Sequence, residues 1–274
     1  MNKKLLPFIK WAGGKRQLLQ KIKEKMPVKY NNYYEPFVGG GALLFELQPT
    51  NATINDINKE LITTYIEIRK NVNEFIKIIN KLDSYIYTHG KEYYCYSVKL
   101  YNQKILNSEY DTELASLFVF INHHCFNGLY RVNKKGLFNV PYNNNLRPSI
   151  NETNIYNISE YLSNVNILNG DFEEALVGVR SNDFVFIDSP YAQLNKISFD
   201  SYTKTGFSIE DHKRLSELYD KLTKNKVYSL LTNHNTELIN ELYKDYNIEL
   251  VNVKRMINSD SHNRTGKEVI ITNY

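Results

Sequence analysis

The chain reads as an α/β protein built on a parallel, doubly wound sheet, and three stretches carry that reading. Asp183-Phe184-Val185-Phe186-Ile187 is a run of β-branched and aromatic residues, as in a strand buried on both faces, and it leads into Asp188-Ser189-Pro190-Tyr191. Tyr33-Tyr34-Glu35-Pro36-Phe37 enters three glycines, Gly39 to Gly41, and leaves as Ala42-Leu43-Leu44-Phe45, a strand-turn-helix that brings backbone against a nucleotide-like ligand. Ala52-Thr53-Ile54-Asn55-Asp56 is a second short strand whose last acid lies about 20 residues after Glu35, where an acid can reach ribose hydroxyls. Ligands of such sheets bind outside the carboxyl ends of the strands, which is where these endings fall.

Taken in order, Phe8 to Lys15 reads Phe-Ile-Lys-Trp-Ala-Gly-Gly-Lys and runs into a helix with Leu18, Leu19, Ile22 and Met26 on one face. Its glycine pair lets backbone approach a ligand between an indole and an ammonium, although a plain loop before a helix is the simpler reading of these residues alone. Lys59 to Leu106 is helical and polar, with Ile62, Tyr65, Ile66, Ile68, Phe75, Ile76, Ile78 and Ile79 as core candidates. Ser116 to Cys125 is again helical. Its adjacent His123 and His124 point to different sides, which excludes an i, i+4 metal pair.

Residues 126–148 alternate Arg131, Lys134, Lys135 and Arg147 with Tyr130, Phe138, Tyr142 and several asparagines, place Gly136 at a hairpin tip and contain no acid. A phosphate backbone meets no repulsion there, while Arg can bond guanine bidentately and Asn can bond adenine. Asn164 to Phe172 is a strand ending in Gly170-Asp171-Phe172, where an adenine ring can meet Phe172 and a side-chain acceptor. A loop from Ala192 to Phe207, with Phe199 and Tyr202, is suited to close over a base. A helix over 208–225 leads to the strand Lys226 to Thr232, followed by Asn233-His234-Asn235 with His234 in a structural role. Ile248 to Val253 and Glu268 to Thr272 make an edge hairpin around a Ser/Asn/Gly-rich turn.

Composition narrows the class. With 274 residues and 42% apolar content, the chain can form one large α/β domain with an inserted module. A net charge of +4 permits nucleic-acid contact without demanding it, so local clusters decide. Cys95 and Cys125 make no disulfide framework and suit a reducing compartment. Leu5-Leu6-Pro7-Phe8-Ile9 is too short for a secretion signal and no stretch approaches a membrane span, so the expected location is the cytoplasm.

An isolated Asp after a strand often only caps the next loop. Asp188 has more around it: its carboxylate and the next carbonyl can each accept one hydrogen of an amino group, Pro190 stiffens the turn and Tyr191 offers a stacking face. With Lys10-Trp11-Ala12-Gly13-Gly14-Lys15, Glu35 to Gly41, Asp56, Asn127 to Pro141 and Asp188 to Tyr191 in this order, the chain resembles the Dam-type adenine-N6 DNA methyltransferases of the alpha group, the D12 class. It looks most like members that modify GATC. The resemblance runs from about Phe8 to the carboxyl end.

That resemblance implies a Rossmann-like seven-stranded methyltransferase sheet from residues 1–57 and 151–274, and an inserted helical DNA-recognition domain over 58–150 that carries a β-hairpin. It implies S-adenosylmethionine as cofactor, double-stranded DNA as partner, no metal and no membrane, and leaves a monomer or a weak dimer open. Lys10, Trp11, Lys15, Phe37, Gly39, Asp56, Asp171, Phe172 and Asp188 fall on cofactor-binding positions. Asp188, Ser189, Pro190 and Tyr191 fall on the catalytic tetrapeptide. Arg131 falls on the arginine that reads a guanine, and Asn127, Leu129, Asn133, Asn139, Pro141 and Tyr142 on the DNA-contacting hairpin.

Two departures stand out. The family's Asp-Pro-Pro-Tyr is Asp188-Ser189-Pro190-Tyr191 here, and its Gly-Arg-Tyr-Lys after the hairpin is replaced by Asn143-Asn144-Asn145-Leu146. Serine keeps the carbonyl but loses the fixed φ of proline and adds a hydroxyl that can rotate into the amine site, so lowered turnover is expected. The implied reaction is methylation of adenine N6 in a short duplex site by base flipping, as in restriction-modification or regulatory marking. A DNA-binding relative without chemistry, or a methyltransferase of RNA or protein amides, stays open at this level.

Overall fold

The computed structural model describes residues 3–11, 15, 18–193, 206–254 and 265–274. Seven strands, β1 (Tyr33–Glu35), β2 (Ala52–Asp56), β3 (Val165–Asn169), β4 (Phe184–Ile187), β5 (Tyr228–His234), β6 (Asn247–Lys254) and β7 (Thr265–Thr272), form one sheet in the order β3-β2-β1-β4-β5-β7-β6. The first five run parallel, and β7 lies antiparallel to both β5 and β6. The α/β expectation therefore holds with one correction at the carboxyl end: only β6 of the terminal hairpin is an edge, because β7 inserts between β5 and β6.

β4 is apolar throughout because both of its faces are covered. Phe184 and Phe186 join the larger core on one side of the sheet, and Val185 and Ile187 join the second core on the other. Buried Asp183 fixes where β4 begins: Oδ1 accepts from the Asn32 backbone N–H at 3.1 Å and from Asn32 Nδ2 at 2.8 Å, and Oδ2 accepts from the Arg180 N–H at 2.8 Å. Tyr33 then lies opposite Phe184, which aligns the carboxyl ends of β1 and β4. From β1 the chain winds out to β2 and β3 and returns on the other side as β4, so the crevice between β1 and β4 is the topological switch point.

The helices are α1 (Leu19–Lys25), α2 (Ala42–Leu47), α3 (Lys59–Lys70), α4 (Val72–Leu106), α5 (Thr112–His124), α6 (Glu152–Leu162), α7 (Ile209–Lys224) and α8 (Glu237–Leu242). The expected face of Leu18, Leu19, Ile22 and Met26 packs on the core. The helical stretch after Lys59 divides into α3, whose Asn58 cap accepts from the Leu61 N–H at 2.7 Å, and α4, broken at Gly90 where φ is 51°. Of its core candidates, Ile62, Tyr65, Ile68, Phe75, Ile76 and Ile79 are buried, whereas Ile66 and Ile78 are only partly covered.

The basic segment after α5 folds back at Gly136, with φ 78°, but single bridges, Cys125 with Tyr142 and Val132 with Phe138, hold it where a hairpin ladder was expected. It docks on α4: Tyr94 donates to the Val140 carbonyl at 2.7 Å, and the Asn102 amide bonds both the N–H and the carbonyl of Phe138. His124 is structural. Its ring contacts the Asn145 carbonyl at 2.6 Å and the Ser149 hydroxyl at 3.1 Å, while Ser149 Oγ donates to Asp83 Oδ1 at 2.6 Å, tying the returning chain to α4 and α5. The glycine pair Gly13-Gly14, the loop positions Phe199 and Tyr202, and the turn between β6 and β7 lie outside the described residues.

Candidate active site

Asp188 directly follows β4 at the switch point, and its surroundings are built for a charge. Its Oδ1 lies 2.6 Å from Lys15 Nζ and accepts from Thr232 Oγ1 at 2.8 Å. Burial pushes the Asp188 carboxyl above its usual range, opposed by the Lys15 ammonium and the Thr232 hydroxyl. Ser189 is buried, and its Oγ accepts from Asn233 Nδ2 at 3.3 Å. The hydroxyl expected to swing into the amine site is held toward β5. Asn233 Oδ1 in turn accepts from the Ala192 and His234 N–H groups, both at 2.8 Å, which fixes the loop after Tyr191.

Tyr191 donates its hydroxyl to Glu268 Oε2 at 2.9 Å, meets the His234 ring edge-on at 4.7 Å and has Lys15 Nζ 4.5 Å from its ring centroid. Burial, with Asp188 and Glu268 nearby, holds its pKa well above the ordinary phenol value, so it stays a donor.

Across the crevice, Gly39 has φ 49°, donates its N–H to Asp56 Oδ2 at 3.0 Å and accepts from Tyr65 at 3.0 Å. A Cβ there would stand 2.7 Å from Trp11 Cδ1, so glycine is required for space as well as for conformation. Asp56 also accepts from the Asn58 N–H at 2.9 Å, and burial lifts its carboxyl to about 6. Glu35, at the end of β1, is buried and accepts from Tyr33 at 2.7 Å; burial carries it to about 8, so it is neutral at pH 7.

Phe37, Phe172 and Phe207 pack at 5.3 to 6.0 Å between centroids beside this turn. The Arg214 guanidinium covers Phe172 at 4.9 Å and pairs with Asp171, Glu173 and Asp211. Asp171 Oδ1 is therefore engaged twice, by Arg214 and by the Glu173 N–H.

Lys10 departs from the expected cofactor group. Its backbone N–H donates to Asn122 and its side chain lies against Gly128, on the hairpin side, because Asn122 bridges the Lys10 and Gly128 carbonyls. Trp11 joins the two regions, touching the glycine turn and stacking on Tyr130 at 5.4 Å.

On the hairpin, Asn127, Arg131, Asn139 and Pro141 are exposed, with Arg131 Nε donating to Asn139 Oδ1 at 3.1 Å. Three expected DNA-contacting residues face inward or are engaged. Asn133 Oδ1 accepts from the Lys135 and Leu137 N–H groups to make the turn, Leu129 packs on the core, and Tyr142 packs on Tyr94 at 5.2 Å.

Thr232, Asn233, Glu268 and Arg214 had no place in the sequence-based site. The strand reading ended at Thr232, two residues before β5 does, which left Asn233 and His234 outside the sheet. The one available signal for Glu268 was an acid beginning the apolar run Val269-Ile270-Ile271. Among the described residues no group of three or more His, Cys, Asp or Glu is placed to hold a metal ion, and no helix is long and apolar enough to cross a membrane.

The model of the D12 class N6 adenine-specific DNA methyltransferase family matches residues 11–257. A relative named Type II methyltransferase M1.LlaDCHI, from Lactococcus lactis subsp. cremoris, is 43% identical over 98% of this chain and 96% of its own length. Type II methyltransferase M.MjaIII of Methanocaldococcus jannaschii is 42% identical over 98% of this chain and 99% of its own. A DNA adenine methylase of Salmonella typhi is 30% identical over 99% and 96%. Similarity that runs nearly from end to end, on a seven-stranded sheet with its acidic tetrapeptide at the switch point, leaves one conclusion: the chain belongs to the D12 class N6 adenine-specific DNA methyltransferases.

Proposed function

We propose that this enzyme moves the methyl group of S-adenosylmethionine to N6 of the adenine in duplex GATC, after the base has been turned out of the helix. The observation that carries the reading is Asp188 at the switch point with both Lys15 and Thr232 on Oδ1, an arrangement that lets Oδ2 accept an incoming amine hydrogen without displacing either. Ser189 contributes its carbonyl as the second acceptor, and its hydroxyl is kept aside by Asn233. Together they turn the amine lone pair, otherwise delocalised into the purine, out of the ring plane and offset the positive charge that develops on N6. Tyr191 offers its ring to the flipped base.

Several residues around the crevice support S-adenosylmethionine as the cofactor. Gly39 lets the turn close against the Trp11 ring at the crevice, the Phe37, Phe172 and Phe207 rings suit a purine, and Asp56 at the tip of β2 suits ribose hydroxyls. When bound, S-adenosylmethionine supplies the electrophilic methyl carbon. Residues 58–150 act as the recognition domain, with exposed Arg131, Asn127, Asn139 and Pro141 toward the duplex and Lys10 adding charge from beside Gly128. The acid-free basic segment supports duplex DNA over a protein amide.

Plasmid from cells that lack other adenine methylation but express this chain tests the reading. It should resist a nuclease blocked by methylated GATC and be cut by one that requires it. Cutting by the first and resistance to the second would overturn GATC as the site.

A further inference from the structure

Glu268 is an acid placed just before the buried Val269, Ile270 and Ile271 of β7. Its register opposite His234 brings it to the carboxyl end of the parallel strands, beside the tetrapeptide. There it accepts the Tyr191 hydroxyl at 2.9 Å while His234 bears on the same ring at 4.7 Å. The ring is thus anchored at its far end and braced by a second ring set at 74° to it. A phenol that donates to a carboxylate also gains electron density, which strengthens the pull of its face on a nearby cation. Lys15 Nζ, 4.5 Å from the centroid, already uses that property.

We propose that Glu268 is a positioning residue for methyl transfer: it fixes the plane of Tyr191 and enriches its ring toward the positive charge that grows on the adenine amine. This rests on the functional reading above, in which Tyr191 stacks on the flipped base. Glu268 acts through Tyr191, and the charge that the enriched ring offsets develops only during transfer, so the effect is expected in the transfer step rather than in binding.

The test is single-turnover methyl transfer from tritiated S-adenosylmethionine to a GATC duplex, with dissociation constants for both measured separately. Glu268→Gln keeps an acceptor oxygen and the volume but removes the charge, and is expected to slow transfer about tenfold with both constants within about twofold. In a Tyr191→Phe background the same change is expected to alter the rate less than about twofold, since the shared hydrogen bond is already gone. Tyr191→Phe alone keeps the ring and its packing, and should be slowed about tenfold as well. Full activity of Glu268→Gln or of Tyr191→Phe, or equal slowing by Glu268→Gln in both backgrounds, overturns the inference. No transfer by the unaltered protein overturns the functional reading, and this inference with it.

Discussion

Thr232→Val removes one hydroxyl and almost no volume, and with it the 2.8 Å bond to Asp188 Oδ1. A hydrogen bond to a charged group contributes about 1.5–3 kcal/mol, and Lys15 remains on the same oxygen at 2.6 Å, which favours the lower end. About 1.4 kcal/mol of lost alignment is tenfold in rate. The bond also stabilises the charged carboxylate, which burial already disfavours, so its loss raises the Asp188 pKa further. Because the ionised form is the acceptor, the acid limb of the pH-rate profile must move to higher pH. Single-turnover transfer at saturating DNA and cofactor across neutral and mildly acidic pH should show about a tenfold loss at pH 7 that deepens as pH falls. A valine variant as fast as the unaltered enzyme at every pH, or one whose acid limb moves down, would refute the assignment of Asp188 as the charged acceptor.

Glu35, lifted to about 8 by burial, makes folding favour the protonated carboxyl. Its stabilising contribution is complete below the ordinary carboxylate pKa and is lost as pH rises through about 8, at up to about 1.4 kcal/mol per pH unit. Urea denaturation should show that slope and Glu35→Gln should flatten it; parallel slopes would contradict the burial argument. Ser189→Pro takes away the acceptor of the buried Asn233 amide, so it should lower stability by about 1–3 kcal/mol without raising turnover, and a tenfold faster proline enzyme would show the hydroxyl to be obstructive after all. Arg131→Ala should cost about 1–3 kcal/mol at one guanine when binding is compared across duplexes with single base changes. Equal weakening on every duplex would reduce Arg131 to a phosphate contact.

The parallel half of the sheet and its acids were legible because each depends on local pattern. An apolar run long enough to be covered on both faces marked β4, glycines marked the turn that needs φ 49° at Gly39, and Asp56 and Asp188 followed as strand endings. What stayed hidden depends on strand order. Glu268 reaches Tyr191 only because β7 enters between β5 and β6, a placement that the two apolar stretches of a terminal hairpin do not encode. Thr232 and Asn233 meet Asp188 and Ser189 across neighbouring strands far apart in sequence, and Arg214 reaches Asp171, beyond the end of β3, from helix α7. On the hairpin, the resemblance placed Asn133 and Tyr142 among DNA contacts, and the structure adds a turn role for Asn133 Oδ1 and a packing contact of Tyr142 with Tyr94 of α4, neither of which local pattern encodes. Lys10 was grouped with its neighbours Trp11 and Lys15; Asn122 holds its backbone, and its side chain lies beside Gly128.

The central claim is that one carboxylate and the adjoining carbonyl hold the adenine amine for methyl transfer. Mass spectrometry of nucleosides from a GATC duplex, incubated with S-adenosylmethionine and either the unaltered enzyme or Asp188→Ala at matched duplex occupancy, tests it most directly. N6-methyladenine should form with the unaltered enzyme and fall below detection with Asp188→Ala, which still binds the duplex. Comparable N6-methyladenine from both proteins, or none from the unaltered enzyme, would contradict it.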